Sequence, residues 1–171
     1  LNMYGMSGSV FLIVAHAMAT GGLFLLVGVM ERNMGIKAIT ALGGIAKKAP
    51  FFTVYFAIMM FCIVGLPSTN GFVSELLIIF GIFKFNYIVG IVSTLTVLVA
   101  ASFMLWMFQR AILQDSDNDV SKMVDLGKKE ILALFPLSVL IFVMGIYPDW
   151  FLVKIEPTIQ HYLVDILKVG M

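Results

Sequence analysis

The chain has 171 residues, of which 61% are hydrophobic and 12% charged, whereas a soluble domain carries about a quarter charged residues. That composition belongs to a membrane protein surrounded by lipid bilayer, and 11 basic against 10 acidic residues give no electrostatic footprint for nucleic acid or another polyanion. The single cysteine, Cys62, excludes an internal disulfide and reads as a small buried hydrophobe.

The opening stretch lacks the basic region and cleavage site of a signal peptide, so the chain is expected to be part of a longer polypeptide. A span needs roughly 20 mostly apolar residues, and the first such segment covers residues 7 to 30. Ala15, Ala17, Ala19, Gly21 and Gly22 make it small-sided, which suits packing against other helices. Ser9, His16 and Thr20, separated by seven and four residues, fall on one face and form a polar stripe along which water could enter. An ionisable group at that depth lines an ion path, unless His16 is a packing residue that donates to a helix carbonyl.

The second segment, residues 51 to 83, is 33 residues long, too long for one straight span. It is interrupted by GLPSTNG at residues 65 to 71, and each half alone is too short to cross. One broken helix accounts for it. Pro67 removes a backbone donor, Gly65 and Gly71 relax the dihedral limits, and Ser68, Thr69 and Asn70 can bond the freed carbonyls and amides. Glu75 follows directly, with Ser74 as a supporting polar neighbour beside it. Two effects oppose each other there: burial disfavours the carboxylate, whereas the free amides and positive dipole end of the second half-helix favour it. A group held between them gains and loses a proton with small changes in hydration, as a proton carrier must. The bland alternative is that Glu75 only caps the half-helix. At 1.5 Å per residue, His16 and Glu75 each lie roughly 10 to 15 Å from the outer end of their helices, so they can share a depth.

Spans three and four cover residues 87 to 108 and 131 to 147. After them, GIYPDWF at residues 145 to 151 combines Pro148 with aromatic residues, as expected where a helix meets the headgroup layer. Pro157 is expected to open a last, surface-lying helix, with Ile159, Leu163, Ile166 and Leu167 on one face and His161, Asp165 and Lys168 on the other. His161 reads as solvated. Asp115, Asp117 and Asp119 have the opening spacing of a calcium loop, but Val120 and Leu126 replace its glycine and final glutamate, so they read as a solvated acidic loop. No cofactor or metal motif is present, and two histidines with one cysteine make no convincing metal set.

Loop charges fix the topology independently. With four spans, the loops at residues 31 to 50 and 110 to 130 share one side and carry Arg32, Lys37, Lys47, Lys48, Arg110, Lys122, Lys128 and Lys129, eight of the eleven basic residues. Only Lys84, Lys154 and Lys168 fall opposite, so the positive-inside rule places the two loops in the cytoplasm and both chain ends outside.

The segments VFLIVAHAMATGGLFLLVGVMER (10 to 32), GGIAKKAP (43 to 50), GLPSTNGFVSELLIIFG (65 to 81) and GIYP (145 to 148) resemble, in order, the antiporter-like membrane subunits of respiratory complex I, subunit M or chain 4 in particular. The resemblance implies an all-α polytopic transmembrane bundle, residues 1 to 171 being the last four helices of a fourteen-helix subunit. It implies that His16 belongs to the central hydrophilic axis and that Glu75 is the proton-transfer residue of the broken helix near the outer exit. Sister subunits L and N typically carry lysine there, so glutamate agrees with subunit M. The implied function is proton translocation coupled to electron transfer by NADH:quinone oxidoreductase in a bacterial inner membrane. NADH, flavin mononucleotide (FMN), iron-sulfur clusters and quinone would bind partner subunits, and none would bind this chain. The family's earlier helices, with a glutamate and lysine pair and a central lysine, have no counterpart in the 171 residues. A cation/proton antiporter or membrane-bound hydrogenase subunit of the same superfamily is the alternative, and a structural bundle in which Glu75 and His16 only hold internal hydrogen bonds is another.

Overall fold

The computed structural model describes residues 2–35, 42–114 and 122–169, with side chains described as far as Asp165. Lys37 and the acidic residues Asp115, Asp117 and Asp119 fall outside the described residues, as do the side chains of Ile166, Leu167 and Lys168. The described chain is helical throughout: α1 (Met3–Met34), α2 (Ile45–Lys48), α3 (Pro50–Ile63), α4 (Asn70–Phe85), α5 (Tyr87–Phe108), α6 (Lys128–Ile146) and α7 (Asp149–Val169). A π-helical turn, Gln109–Leu113, continues α5.

Local chemistry sets the helix ends. Asn2 caps α1 by accepting from the Gly5 amide at 2.9 Å, and Gly35 closes it in the left-handed conformation at φ 65. Asn86 ends α4 and caps α5, its side chain accepting from the amides of Ile88 and Val89 at 2.9 and 3.2 Å. One polar residue thereby turns the chain between two apolar helices.

Three described helices are long and apolar enough to cross a membrane: Met3–Met34, Tyr87–Leu113 and Lys128–Ile146. At 14 and 16 residues, α3 and α4 reach only about 21 and 24 Å each. They cross together. Gly22 of α1 lies against the Met59 thioether in α3, Gly8 against Leu77 and Ile78 in α4, and Gly5 against the Gly81 backbone. Glycines taken in descending order along α1 meet partners in ascending order along α3 and α4, so α4 prolongs the line of α3, antiparallel to α1. The expected broken helix is what the chain forms.

The two long loops meet at one end of the bundle, as the charge pattern requires. Arg32 at the end of α1 pairs with Glu130 in the first turn of α6 at 2.7 Å. The Asn33 amide donates to the Val124 carbonyl at 3.1 Å, and the Gly44 amide to the Gln114 carbonyl at 2.7 Å. The ion pair is largely solvent-facing and so adds little to stability.

Asp125 matters more. The residue before α3 is Ala49, which offers no capping side chain, and Pro50 has no N–H. The Asp125 carboxylate reaches back across 73 positions to accept from the Phe51 and Phe52 amides at 3.1 and 2.8 Å, a long-range cap at the positive end of α3. We expect Asp125→Ala to destabilise the protein by about 1–2 kcal/mol and Asp125→Asn by less, measured as thermal midpoints of the purified protein.

At the chain's end the structure corrects one expectation. The last helix opens at Asp149, with Pro148 just before it and the Phe151 and Leu152 amides both reaching the Pro148 carbonyl at 3.0 Å. Pro157 sits inside α7, where the loss of one hydrogen bond is tolerated. The apolar stripe starts correspondingly earlier, with Leu152 and Ile159 buried, and Phe151 meets Phe11 of α1 edge-on at 5.3 Å. His161 is exposed and lies 3.5 Å from the carboxylate of Asp165, one helical turn on.

Candidate functional site

The site is built around the interruption between α3 and α4. After Ile63 the chain leaves the helix, Gly65 takes a left-handed φ of 71 and Ser68 one of 81. For a residue with a side chain, as at Ser68, that conformation costs about 1–2 kcal/mol, so neighbouring structure must hold it. Thr69 restarts the helix: its hydroxyl donates to the Leu66 carbonyl at 2.7 Å and accepts from the Phe72 amide at 3.5 Å. Asn70 and Gly71 are the first residues of α4. Of the residues expected to form the break, Gly65, Pro67, Ser68 and Thr69 lie in the linker, and Thr69 and Asn70 are buried.

Three glycines shape the break by what they lack. A Cβ on Gly71 would run into the carbonyl oxygen of Cys62, so the start of α4 rests directly on the end of α3. On Gly145 it would run into the Ser68 carbonyl and Thr69 backbone, so α6 covers the break from its far end. On Gly65 it would occupy the place of the Glu75 carboxylate, which therefore folds back across the interruption. The space beside Gly65 holds the acid.

Glu75 is half-buried, and with His16 it lines one cavity of about 200 Å³, completed by Leu12, Ala15, Ala19, Cys62, Ile63 and Gly71. The two ionisable residues expected to share a depth are thus brought to one space, level with the middle of α1. His16 stands on the exposed side of α1, at the edge of this cavity. A cavity of that size has room for about six waters at the liquid volume of 30 Å³ each, enough to join an imidazole to a carboxylic acid by hydrogen bonds.

The supporting residues behave differently from one another. The Thr20 hydroxyl donates to the carbonyl of His16 itself at 2.6 Å, while Ser9 donates to Gly5 at 2.7 Å and lines a separate groove near the end of α4. The stripe shares a helix face but not a cavity. Ser74 is buried and turned back on its own helix, donating to the Asn70 and Gly71 carbonyls at 3.0 and 2.7 Å.

Two features escaped the sequence reading. The Cys62 thiol donates to Asn70 Oδ1 at 3.0 Å, so this residue is a hydrogen-bond donor as well as a buried hydrophobe. Asn70, with no exposed surface, directs its amide nitrogen at the sulfurs of Met18 in α1 and Met144 in α6, at 3.7 and 4.0 Å. The only available signal was the coincidence of one thiol and one carboxamide on either side of a break.

This is a polytopic α-helical membrane protein of the broken-helix kind, in which an interrupted span carries an ionisable group to the middle of the bundle. The family described as NADH:quinone oxidoreductase/Mrp antiporter, transmembrane, matches residues 1–104, and the chain belongs to that family. Over 161 residues it is 32% identical to NADH-quinone oxidoreductase subunit M of Rickettsia prowazekii, covering 94% of this chain and 33% of that protein. It is 30% identical over 170 residues to NADH-ubiquinone oxidoreductase chain 4 of Marchantia polymorpha, covering 96% and 34%. Among solved structures it matches a chain of respiratory complex I from Thermus thermophilus with bound NADH, with a TM-score of 0.82 and 29% identity over 91% of this chain and 32% of the other. The chain spans about a third of the length of the curated relatives it matches.

Proposed function

We propose that residues 1 to 171 form the C-terminal part of a proton channel in a membrane subunit of NADH:quinone oxidoreductase, with Glu75 as the proton carrier and His16 as its relay. The observation that carries this reading is the shared cavity: an acid folded over a helix break and an imidazole on the facing helix line one space that water can fill. Protons reach Glu75 through hydrated contacts near His16 and leave toward the side opposite the basic loops. The names of the relatives support subunit M, and the family shared with Mrp antiporters keeps an ion-driven cation/proton antiporter as the second reading.

Under this reading the partners are the other membrane subunits, including the antiporter-like subunits L and N. NADH, FMN, iron-sulfur clusters and quinone bind elsewhere in the assembly. The loops carrying Arg32, Lys47, Lys48, Arg110, Lys122, Lys128 and Lys129 face the cytoplasm of a bacterial inner membrane, with both ends of the chain outside. The decisive experiment is Glu75→Gln in the intact complex, with proton pumping measured against NADH oxidation. Peripheral iron-sulfur subunits co-purifying with this chain support the redox assignment, whereas small, purely membrane-embedded companions support the antiporter.

A further inference from the structure

A carboxamide sealed inside an apolar bundle is expensive unless its donors and acceptor find partners. Asn70 has no exposed surface. Its oxygen is taken by the Cys62 thiol at 3.0 Å, and its nitrogen lies between two thioethers at 3.7 and 4.0 Å. Both thioethers are weak acceptors, and the Cys62 thiol is the nearest of the three sulfur partners. Through those contacts one side chain touches α1, α3 and α6 while standing at the head of α4.

Cys62 has a second aspect. It lines the cavity that holds His16 and Glu75, and its carbonyl is the atom on which Gly71 rests. A thiol whose hydrogen is given to Asn70 does not donate it to the Glu75 carboxylate, although Cys62 and Glu75 line the same cavity. A thiol released from Asn70 is free to donate into the cavity it lines and to compete with water for that carboxylate.

We propose that Asn70 is the positioning residue of the proton-transfer site, acting through Cys62: the thiol-to-carboxamide hydrogen bond locks the two half-helices in register and keeps the cavity clear for water between His16 and Glu75. The inference rests on the assignment of proton transfer to Glu75 and adds a residue outside the cavity wall that governs it. Asn70 itself need not touch a proton in transit.

The test exploits opposite demands at position 62. If Cys62 only fills apolar space, Cys62→Ala is the milder change and Cys62→Ser, which brings a hydroxyl into the core, the harsher. If Cys62 serves as donor to Asn70, the order reverses, because a serine hydroxyl keeps the bond and alanine forfeits it. We expect proton pumping per NADH oxidised, in the intact complex in its native membrane, to fall about threefold more in Cys62→Ala than in Cys62→Ser, the ratio that about 0.7 kcal/mol of a net hydrogen bond gives. In an Asn70→Leu background the serine loses that advantage, a non-additivity that identifies the pair.

A readout independent of transport is the reactivity of Cys62 toward a small maleimide, followed peptide by peptide. Asn70→Leu should raise it severalfold and Glu75→Gln should leave it unchanged. Unaltered reactivity in Asn70→Leu, or serine proving worse than alanine, overturns the proposal. Raised reactivity with unaltered pumping in Asn70→Leu overturns it too, provided that Glu75→Gln still impairs pumping. Normal pumping in Glu75→Gln overturns the assignment on which it stands, while the labelling result still reports whether the thiol is held.

Discussion

Glu75→Gln is expected to leave the complex assembled and to lower proton pumping by about fivefold or more, a modest share of the effect that losing a positioned proton-transfer group has in enzymes. Glutamine keeps the volume and polarity of the side chain, so the packing over Gly65 survives, and it removes the one property at issue, exchange of a proton. Glu75→Asp retains an acid but shortens its reach across the break, and it should fall between wild type and Glu75→Gln. For His16→Ala the expected loss is smaller, about twofold, because the cavity of about 200 Å³ admits water that can take over the imidazole's place. Pumping stoichiometry in sealed vesicles, normalised to assembled complex, separates these outcomes. Normal pumping in Glu75→Gln would sink the proposed function and leave a structural bundle as the better account.

Gly71→Ala should be the most damaging glycine-to-alanine change among the glycines whose surroundings are described. The new Cβ collides with the Cys62 carbonyl oxygen, a backbone atom that cannot rotate aside as a flexible side chain could. Relief requires the start of α4 to lift off the end of α3, which costs about 3 kcal/mol or more on the scale of overpacked cores. It also carries Asn70 and Glu75 away from their positions, since both stand within two turns of the displaced residue. The expected result is less assembled complex, a lower thermal midpoint and reduced pumping in what assembles. Gly65→Ala makes an informative contrast. There the obstacle is the flexible end of Glu75, and the backbone pays about 1–2 kcal/mol for a left-handed alanine. That variant should lose pumping out of proportion to stability. Equal losses in stability from the two variants would mean that the break is looser than its close contacts indicate.

The outline of the site was legible because it rests on one-dimensional signals. A run such as GLPSTNG cannot continue a helix, and the distribution of basic residues decides which loops share a side. From those two facts the depth of Glu75 and His16 followed by counting residues. What could not be read is everything that depends on which face of a helix meets which neighbour. Ser9 and His16 share a face of α1, yet they line different spaces because α4 runs alongside and divides that face along its length. Asp125 looks like any loop carboxylate until α3 is seen to begin with an alanine and a proline and to need a cap from elsewhere. Cys62 and Asn70 are eight residues apart, a separation with no meaning in a continuous helix. Only the break folds them onto each other. The start of α7 was misplaced because two prolines compete for the same signal; Pro148, already at a turn after α6, wins over Pro157, which has a helix in front of it.

The cover that Gly145 gives to the break has a consequence for how the protein is made. The carbonyl of Ser68 and the backbone of Thr69 fit against a residue that the ribosome adds only after the whole of α5 and the segment that follows it have been synthesised. Until α6 arrives, the interrupted span stands in the bilayer with part of its irregular backbone uncovered, a state that lipid tolerates poorly. Arrival of α6 therefore closes this side of the break, and the half-helices gain their cover from a segment made well after them.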